Sequence, residues 1–203
     1  LDVLSSFNYF GRQADYNEGI DLAPGIRATF LDAGHILGSA SIFIELEEQG
    51  KKHRLLFSGD LGYSGRAILR NPATPPDDDT VVIETTYGDR LHKKLEPTIE
   101  EFYDAINKTI GRGGNVVIPT FALERAQEIL YYLREGVENK RLAHFITVFL
   151  DSPMAISATE IFRRHPECFD SETLAVSGNG NDPFGLPGLH FTRETAESMA
   201  INQ

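Results

Sequence analysis

Three residues of this chain could do chemistry together. His35 stands in the run "RATFLDAGHILGSASIFIEL", Arg27 to Leu46, between Gly34 and Gly38. Asp60 closes "RLLFSGD", and Glu84 closes "TVVIE". Each follows an apolar run that reads as a strand, and a glycine directly precedes His35 and Asp60. Carboxyl ends of strands are where α/β folds collect reactive groups. Glycine lets a ligand or a second backbone come close. Neutral imidazole is the commonest side-chain metal ligand, and a carboxylate can bridge two divalent ions that clamp a displacement reaction. The chemistry such a group could do is a metal-assisted displacement. One histidine and one aspartate fall short of the three protein ligands of catalytic zinc, so most ligands of such a site are expected outside these 203 residues. His53 sits at the polar start of a strand and reads as solvent-exposed rather than as the missing ligand. Lone Gly-His and Gly-Asp pairs occur in many proteins, and on spacing alone an ordinary strand-end histidine is the commoner explanation.

The three residues meet only if the chain brings them together. "GIRATFLDA" (25–33), "ASIFIELEE" (40–48), "HRLLFSGD" (53–60) and "TVVIETTYG" (80–88) read as strands, rich in β-branched and aromatic residues. In the second, Ile42, Ile44 and Leu46 alternate with Phe43, Glu45 and Glu47, which makes the Phe43 face the wetter one. "EEQGKKHR" is a charged hairpin turn around Gly50, and the Pro- and Asp-rich "NPATPPDDDT" is a loop. The character changes near residue 90. "PTIEEFYDAINKTIGRGG" carries Ile99, Phe102, Tyr103, Ile106 and Ile110 at helical spacing and ends in glycines. A strand (115–120), a helix (122–136), a strand (144–151), a helix (152–166), a long loop (177–190) and a last helical segment follow. Such alternation implies parallel pairing with covering helices. The expected fold class is α/β, with a β-rich part over 1–90 and a helix-covered parallel sheet over 91–203.

A net charge of −11 argues against a module that lives by nonspecific phosphate contacts. It leaves room for an enzyme whose ions supply positive charge locally. The single cysteine, Cys168, excludes an internal disulfide and a cysteine-built zinc site, and fits a cytoplasmic location. Its surroundings, "RHPECFD", read as a helix end and make it inert. No apolar run approaches the roughly 20 residues that span a membrane, and the start has no signal-peptide pattern. The chain begins at Leu1 rather than Met, which suggests a piece of something longer.

"DAGHILGSA", "LLFSGDLG" and "VVIETTYGDRLH", in that order, resemble the later motifs of the metallo-β-lactamase superfamily. "GGNVVIPTFALERAQEILYYL" and "FLDSPMA" resemble its β-CASP branch, which includes the nuclease subunit of the eukaryotic cleavage and polyadenylation specificity factor and prokaryotic relatives. The likeness covers nearly the whole chain. It implies part of an αββα sandwich over 1–90, followed by part of the β-CASP domain that is inserted into it. It implies hydrolysis of RNA phosphodiester bonds with two zinc ions. On this resemblance His35 is a zinc ligand and Asp60 the carboxylate bridging both ions. Glu84 is the acidic partner of a histidine that helps protonate the leaving group. Single-stranded RNA is the implied substrate; a homodimer or processing-complex partners are the implied associations, and no membrane. The His-rich motif with three histidines and an aspartate is absent, as are two later histidines. They are expected before Leu1 and after Gln203, so the zinc site is expected to be incomplete and this piece alone inactive.

Two other readings compete. A noncatalytic β-CASP scaffold of an RNA-processing complex would usually have lost metal ligands, whereas His35, Asp60 and Glu84 are all present. An enzyme acting on a small thioester or lactam would lack the segment after residue 90. Lesser substrate-binding candidates are His92, Thr120 and Arg125. His92 would shape the cleft or make a helix-start or interdomain hydrogen bond. Thr120 and Arg125 stand where a strand gives way to a helix, a place for phosphate or for a buried ion pair. Ser152, followed by Pro153, reads as a helix N-cap.

Overall fold

The computed structural model describes Ser6, Tyr9 and residues 11–201. The chain forms two compact units. One runs to Tyr63 and takes up Asn71–Gly88; the other holds Ser64–Arg70 and continues from Asp89. The excursion of Ser64–Arg70 is a feature that a single boundary near residue 90 does not contain.

The first unit is a five-stranded sheet of β1 (Gly19–Ala23), β2 (Ile26–Asp32), β3 (Ala40–Glu48), β4 (Lys51–Phe57) and β5 (Thr80–Val82), adjacent in chain order. β1 to β4 pair antiparallel, and β5 lies parallel to β4. Gln49 and Gly50 join β3 to β4 with φ of 51° and 73°. Two positive φ angles give the hairpin turn whose twist matches its strands, and Gly50 suits it better than Gln49 does. Opposite charges face each other across this hairpin, with Lys52 Nζ 3.6 Å from Glu47 Oε2, which favours the register.

Leu31, Phe43 and Leu56 form the buried cluster of this sheet, with Ala73 packed against it. Phe43 is 6% exposed, whereas Ile42, Ile44 and Leu46 are half-buried. The expectation of a wetter face holds at Glu45 and Glu47, which are exposed, and is corrected at Phe43. Ala73 of the "NPATPPDDDT" segment packs on that face, its N–H donating to the Asp32 carbonyl (2.8 Å), and Asp79 N–H donates to the Arg54 carbonyl (2.9 Å) where β5 joins β4. Strand alternation cannot say which face a distant loop will cover. The strand expected over 80–88 is also corrected: β5 ends at Val82, and Val81, Val82 and Ile83 are about half exposed. Among the described residues β5 has a neighbour on one side only.

The second unit contains α1 (Leu95–Gly111), α2 (Arg125–Glu138), α3 (Pro153–Arg164), α4 (Ser171–Gly178) and α5 (Thr195–Ala200). β6 (Val148–Leu150) and β7 (Leu189–Phe191) pair parallel. Its core draws on Tyr103, Ile106, Leu130, Leu133, Ile156 and Phe162. Phe184 meets Phe162 and Phe169 edge-on, at 5.9 and 6.0 Å between ring centres, the arrangement that ring quadrupoles favour. Ser152 Oγ accepts from Ala155 N–H at 3.2 Å and caps α3, as the Ser-Pro pair predicts.

Several elements differ from the sequence reading. Residues 115–120 form no paired strand, and Val117 is 85% exposed. β6 occupies only three residues of the expected 144–151. α4 and β7 bound the segment read as one long loop, and β1 was not read at all. A strand exists through its partner's hydrogen bonds; β6 and β7 find each other across a long stretch of chain, whereas β1 pairs with its neighbour β2 across Pro24 and Gly25. No helix among the described residues is long and apolar enough to cross a membrane.

Candidate metal-linked active site

β2 and β4 are each antiparallel to β3, and β5 is parallel to β4. β2, β4 and β5 therefore run the same way, and their carboxyl ends lie at one end of the sheet. His35 follows the end of β2 by three residues, Asp60 that of β4 by three, and Glu84 that of β5 by two.

Hydrogen bonds from backbone N–H groups and hydroxyls pin each of these loops. Asp32 Oδ1 accepts from Gly34 N–H at 2.9 Å, and Ser39 Oγ accepts from the N–H groups of His35 (3.0 Å) and Ile36 (3.2 Å). Tyr16 O–H donates to the Ser39 carbonyl at 2.8 Å. Gly62 N–H donates to the Ala33 carbonyl at 2.9 Å. A Cβ on Gly62 would stand 1.7 Å from the Gly34 oxygen, so a side chain there would drive the loops after β2 and β4 apart. Glu84 Oε1 accepts from Leu61 N–H at 2.7 Å, and Glu84 N–H donates to Ser58 Oγ at 3.0 Å. Ser41 O–H in turn donates to the Ser58 carbonyl at 2.8 Å. The three loops are thus bonded to one another, not merely adjacent.

The Glu84 carboxyl is held below the usual glutamate range, chiefly by a hydrogen bond from the Thr86 hydroxyl and then by Leu61 N–H. Desolvation opposes the shift, while Thr86 N–H and the charge of His35 add to it. His35 is therefore within electrostatic reach of Glu84. Asp60 is exposed, whereas His35 and Glu84 are half-buried. The result is a carboxylate open to a ligand, beside two anchored groups.

Comparison with known proteins bears on this arrangement. The β-CASP domain pattern matches residues 126–203. Ribonuclease TTHA0252 of Thermus thermophilus is 39% identical over 192 residues, 95% of this chain and 43% of that protein. The chain belongs to the β-CASP branch of the metallo-β-lactamase superfamily. Transcription termination factor FttA of Methanosarcina mazei is 36% identical over 175 residues, 84% of this β-CASP chain and 27% of that factor. The RNase J-like protein of Methanocaldococcus jannaschii is 34% identical over 192 residues, 93% of this chain and 43% of that protein. The β-CASP chain spans less than half the length of these relatives.

Among the described residues, no three of His, Cys, Asp and Glu gather into a group able to hold a metal ion. His35 and Asp60 are two donors of suitable chemistry, one fewer than catalytic zinc takes from protein. They fit a metal only as members of a larger ligand set. His53 lies outside this group: it is exposed, with Nε2 3.2 Å from Thr80 Oγ1 and Nδ1 3.8 Å from Asp79.

The remaining candidates sit in the second unit of this β-CASP protein. His92 is exposed. Thr120 is exposed and lines an apolar hollow of about 880 Å³ with Val116, Ile118 and Phe145. Arg125 Nη1 lies 2.5 Å from Glu128 Oε2, and Glu128 is buried, so of its two readings the ion pair is what forms. Sequence reasoning missed Ser39, Ser58, Gly62 and Thr86. The second glycine of "SGDLG" and the serines of "GSAS" and "FSG" were the available signals.

Proposed function

We propose that this chain is part of a metal-dependent ribonuclease that hydrolyses RNA phosphodiester bonds. Residues 1–90 are the second half of its metallo-β-lactamase domain, and 91–203 the first part of its β-CASP domain. One observation carries the reading: His35, Asp60 and Glu84 follow three co-directional strands at one sheet end, in loops bonded to each other. Relatives named ribonuclease and RNase J-like support RNA as the substrate. His35 and Asp60 would hold zinc, Asp60 as the bridging carboxylate, and two ions would supply an acidified water and positive charge at the phosphate. Glu84, kept ionised by Thr86 and Leu61, is the acceptor that would orient a histidine acid for the leaving oxygen. His92, Thr120 and Arg125 would meet a single RNA strand, whose unpaired bases and backbone are accessible. The protein acts in the cytoplasm, as a homodimer or with processing-complex partners.

With only two donors, isolated residues 1–203 hold zinc weakly and leave RNA intact. The test uses the full-length protein, with zinc content and cleavage of a labelled single strand as readouts. Asp60→Asn lowers both, cleavage by more than about a hundredfold, since even the loss of a ligand's supporting group costs about 10–100-fold. A full-length protein that binds RNA without zinc and without cleavage would instead be a scaffold, and the ribonuclease reading would fall.

A further inference from the structure

Buried charge gathers at the start of α2. Glu124 and Glu128 are 3% and 2% exposed. Arg66 Nη2 lies 3.7 Å from Glu124 Oε1 and 3.7 Å from Glu128 Oε2. Arg125 Nη1 donates to the same Glu128 Oε2 at 2.5 Å. Glu128 Oε1 is buried without a hydrogen-bond partner, so its charge is answered mainly by these two guanidinium groups. The two arginines differ in access: the Arg66 side chain is 10% exposed and that of Arg125 57%.

The backbone enforces this difference. Glu124 has φ 66° and ψ −60°, and Arg125 N–H donates to the Leu123 carbonyl at 2.9 Å. That is a γ-turn of the strained kind. Ile68, two residues after Arg66, has φ 79°, with Leu69 N–H donating to the Ala67 carbonyl at 3.0 Å. Strain of this sort persists only where surroundings over-determine it. At Glu124 the turn buries one side chain and leaves the next, Arg125, at the surface.

A buried carboxylate that loses its sole cation is left uncompensated. Glu128 has two, so Arg125 can depart while Arg66 stays. We infer that Arg125 is a phosphate-binding arginine for which Glu128 stands in until RNA arrives, with Arg66 neutralising Glu124 and Glu128 throughout. This rests on the ribonuclease reading and adds a competitor to it. The planar guanidinium fork fits a carboxylate and a phosphate alike. Glu128 thereby lowers affinity for RNA at this contact, because the phosphate must displace it.

The test measures binding of a fluorescent single-stranded RNA by the full-length protein, by anisotropy, over about 50–200 mM salt. Arg125→Gln weakens binding and flattens the plot of log affinity against log salt by about 0.7, the share of one phosphate contact on a single strand. Arg125→Lys keeps the slope. Glu128→Gln tightens binding several-fold in the wild-type background and has no effect in the Arg125→Gln background. A general charge effect would tighten binding in both, and would overturn the inference. An Arg125→Gln protein with unchanged affinity and slope overturns it too, even if Glu128→Gln does not fold. Wild-type protein that binds no RNA overturns the ribonuclease reading and this inference together; wild-type binding that Arg125→Gln leaves unweakened overturns this inference alone.

Discussion

The sheet-end site and the α2 charge group handle ionised side chains in opposite ways. At the sheet end, backbone N–H groups and serine hydroxyls hold the loops, and Asp60 stands exposed. At α2, Glu124 and Glu128 lie under the surface with Arg66 against both. The difference teaches how each charge is meant to be used. On the proposed reading Asp60 is left open for a ligand, while its neighbours Leu61 and Gly62 hold the loop through their N–H groups. A charge kept for the fold is fixed through an opposite charge, because burial without one is costly.

The sharpest way to break this comparison is to remove charge from each side and measure folding. Arg66→Met strips a cation from two buried carboxylates and should cost about 3–5 kcal/mol, read by chemical denaturation. A loss below about 1 kcal/mol would put the group on a par with a surface pair. Asp60→Asn should leave stability within about 0.5 kcal/mol, as at other exposed positions, while it removes activity.

Acid titration sharpens the sheet-end side. The Glu84 pKa is depressed in the folded state. Its contribution is therefore fully present above the unfolded value of about 4.3 and is lost as pH falls through the lower folded value. The gap in thermal midpoint between wild type and Glu84→Gln should be constant above about pH 5 and should close below about 4.3. A gap that stays constant down to acid denaturation would mean that the Thr86 and Leu61 hydrogen bonds do not favour the ionised form. The smallest effect belongs to the β3–β4 turn, which lies at the opposite end of the sheet from His35, Asp60 and Glu84. Gln49→Asn should stabilise by under about 1 kcal/mol, because asparagine tolerates positive φ better, and differential scanning calorimetry should register a small rise in midpoint.

The candidate site was legible in outline. The glycines beside His35 and Asp60 and the apolar runs before them are local signals, and they put all three residues at strand ends. What bonds those ends was not legible. Gly62 against Gly34 and Leu61 N–H against Glu84 depend on β2, β4 and β5 running the same way. The ambiguity at Arg125 was also not resolvable from the chain, because Glu128 is near in sequence while Arg66 is remote.

Sequence alone determined β2 to β4, the periodicity of α1 and α2, the Ser152 cap and the order of His35, Asp60 and Glu84. Side-chain spacing and turn chemistry act over a few residues, so they are written where they act. Tertiary structure alone decided that Phe43 is covered, that residues 115–120 go unpaired while β7 finds β6, and that Arg66 reaches Glu124 and Glu128. A covering loop, a pairing strand and a counter-charge all come from elsewhere along the chain, and only folding specifies which of them arrives.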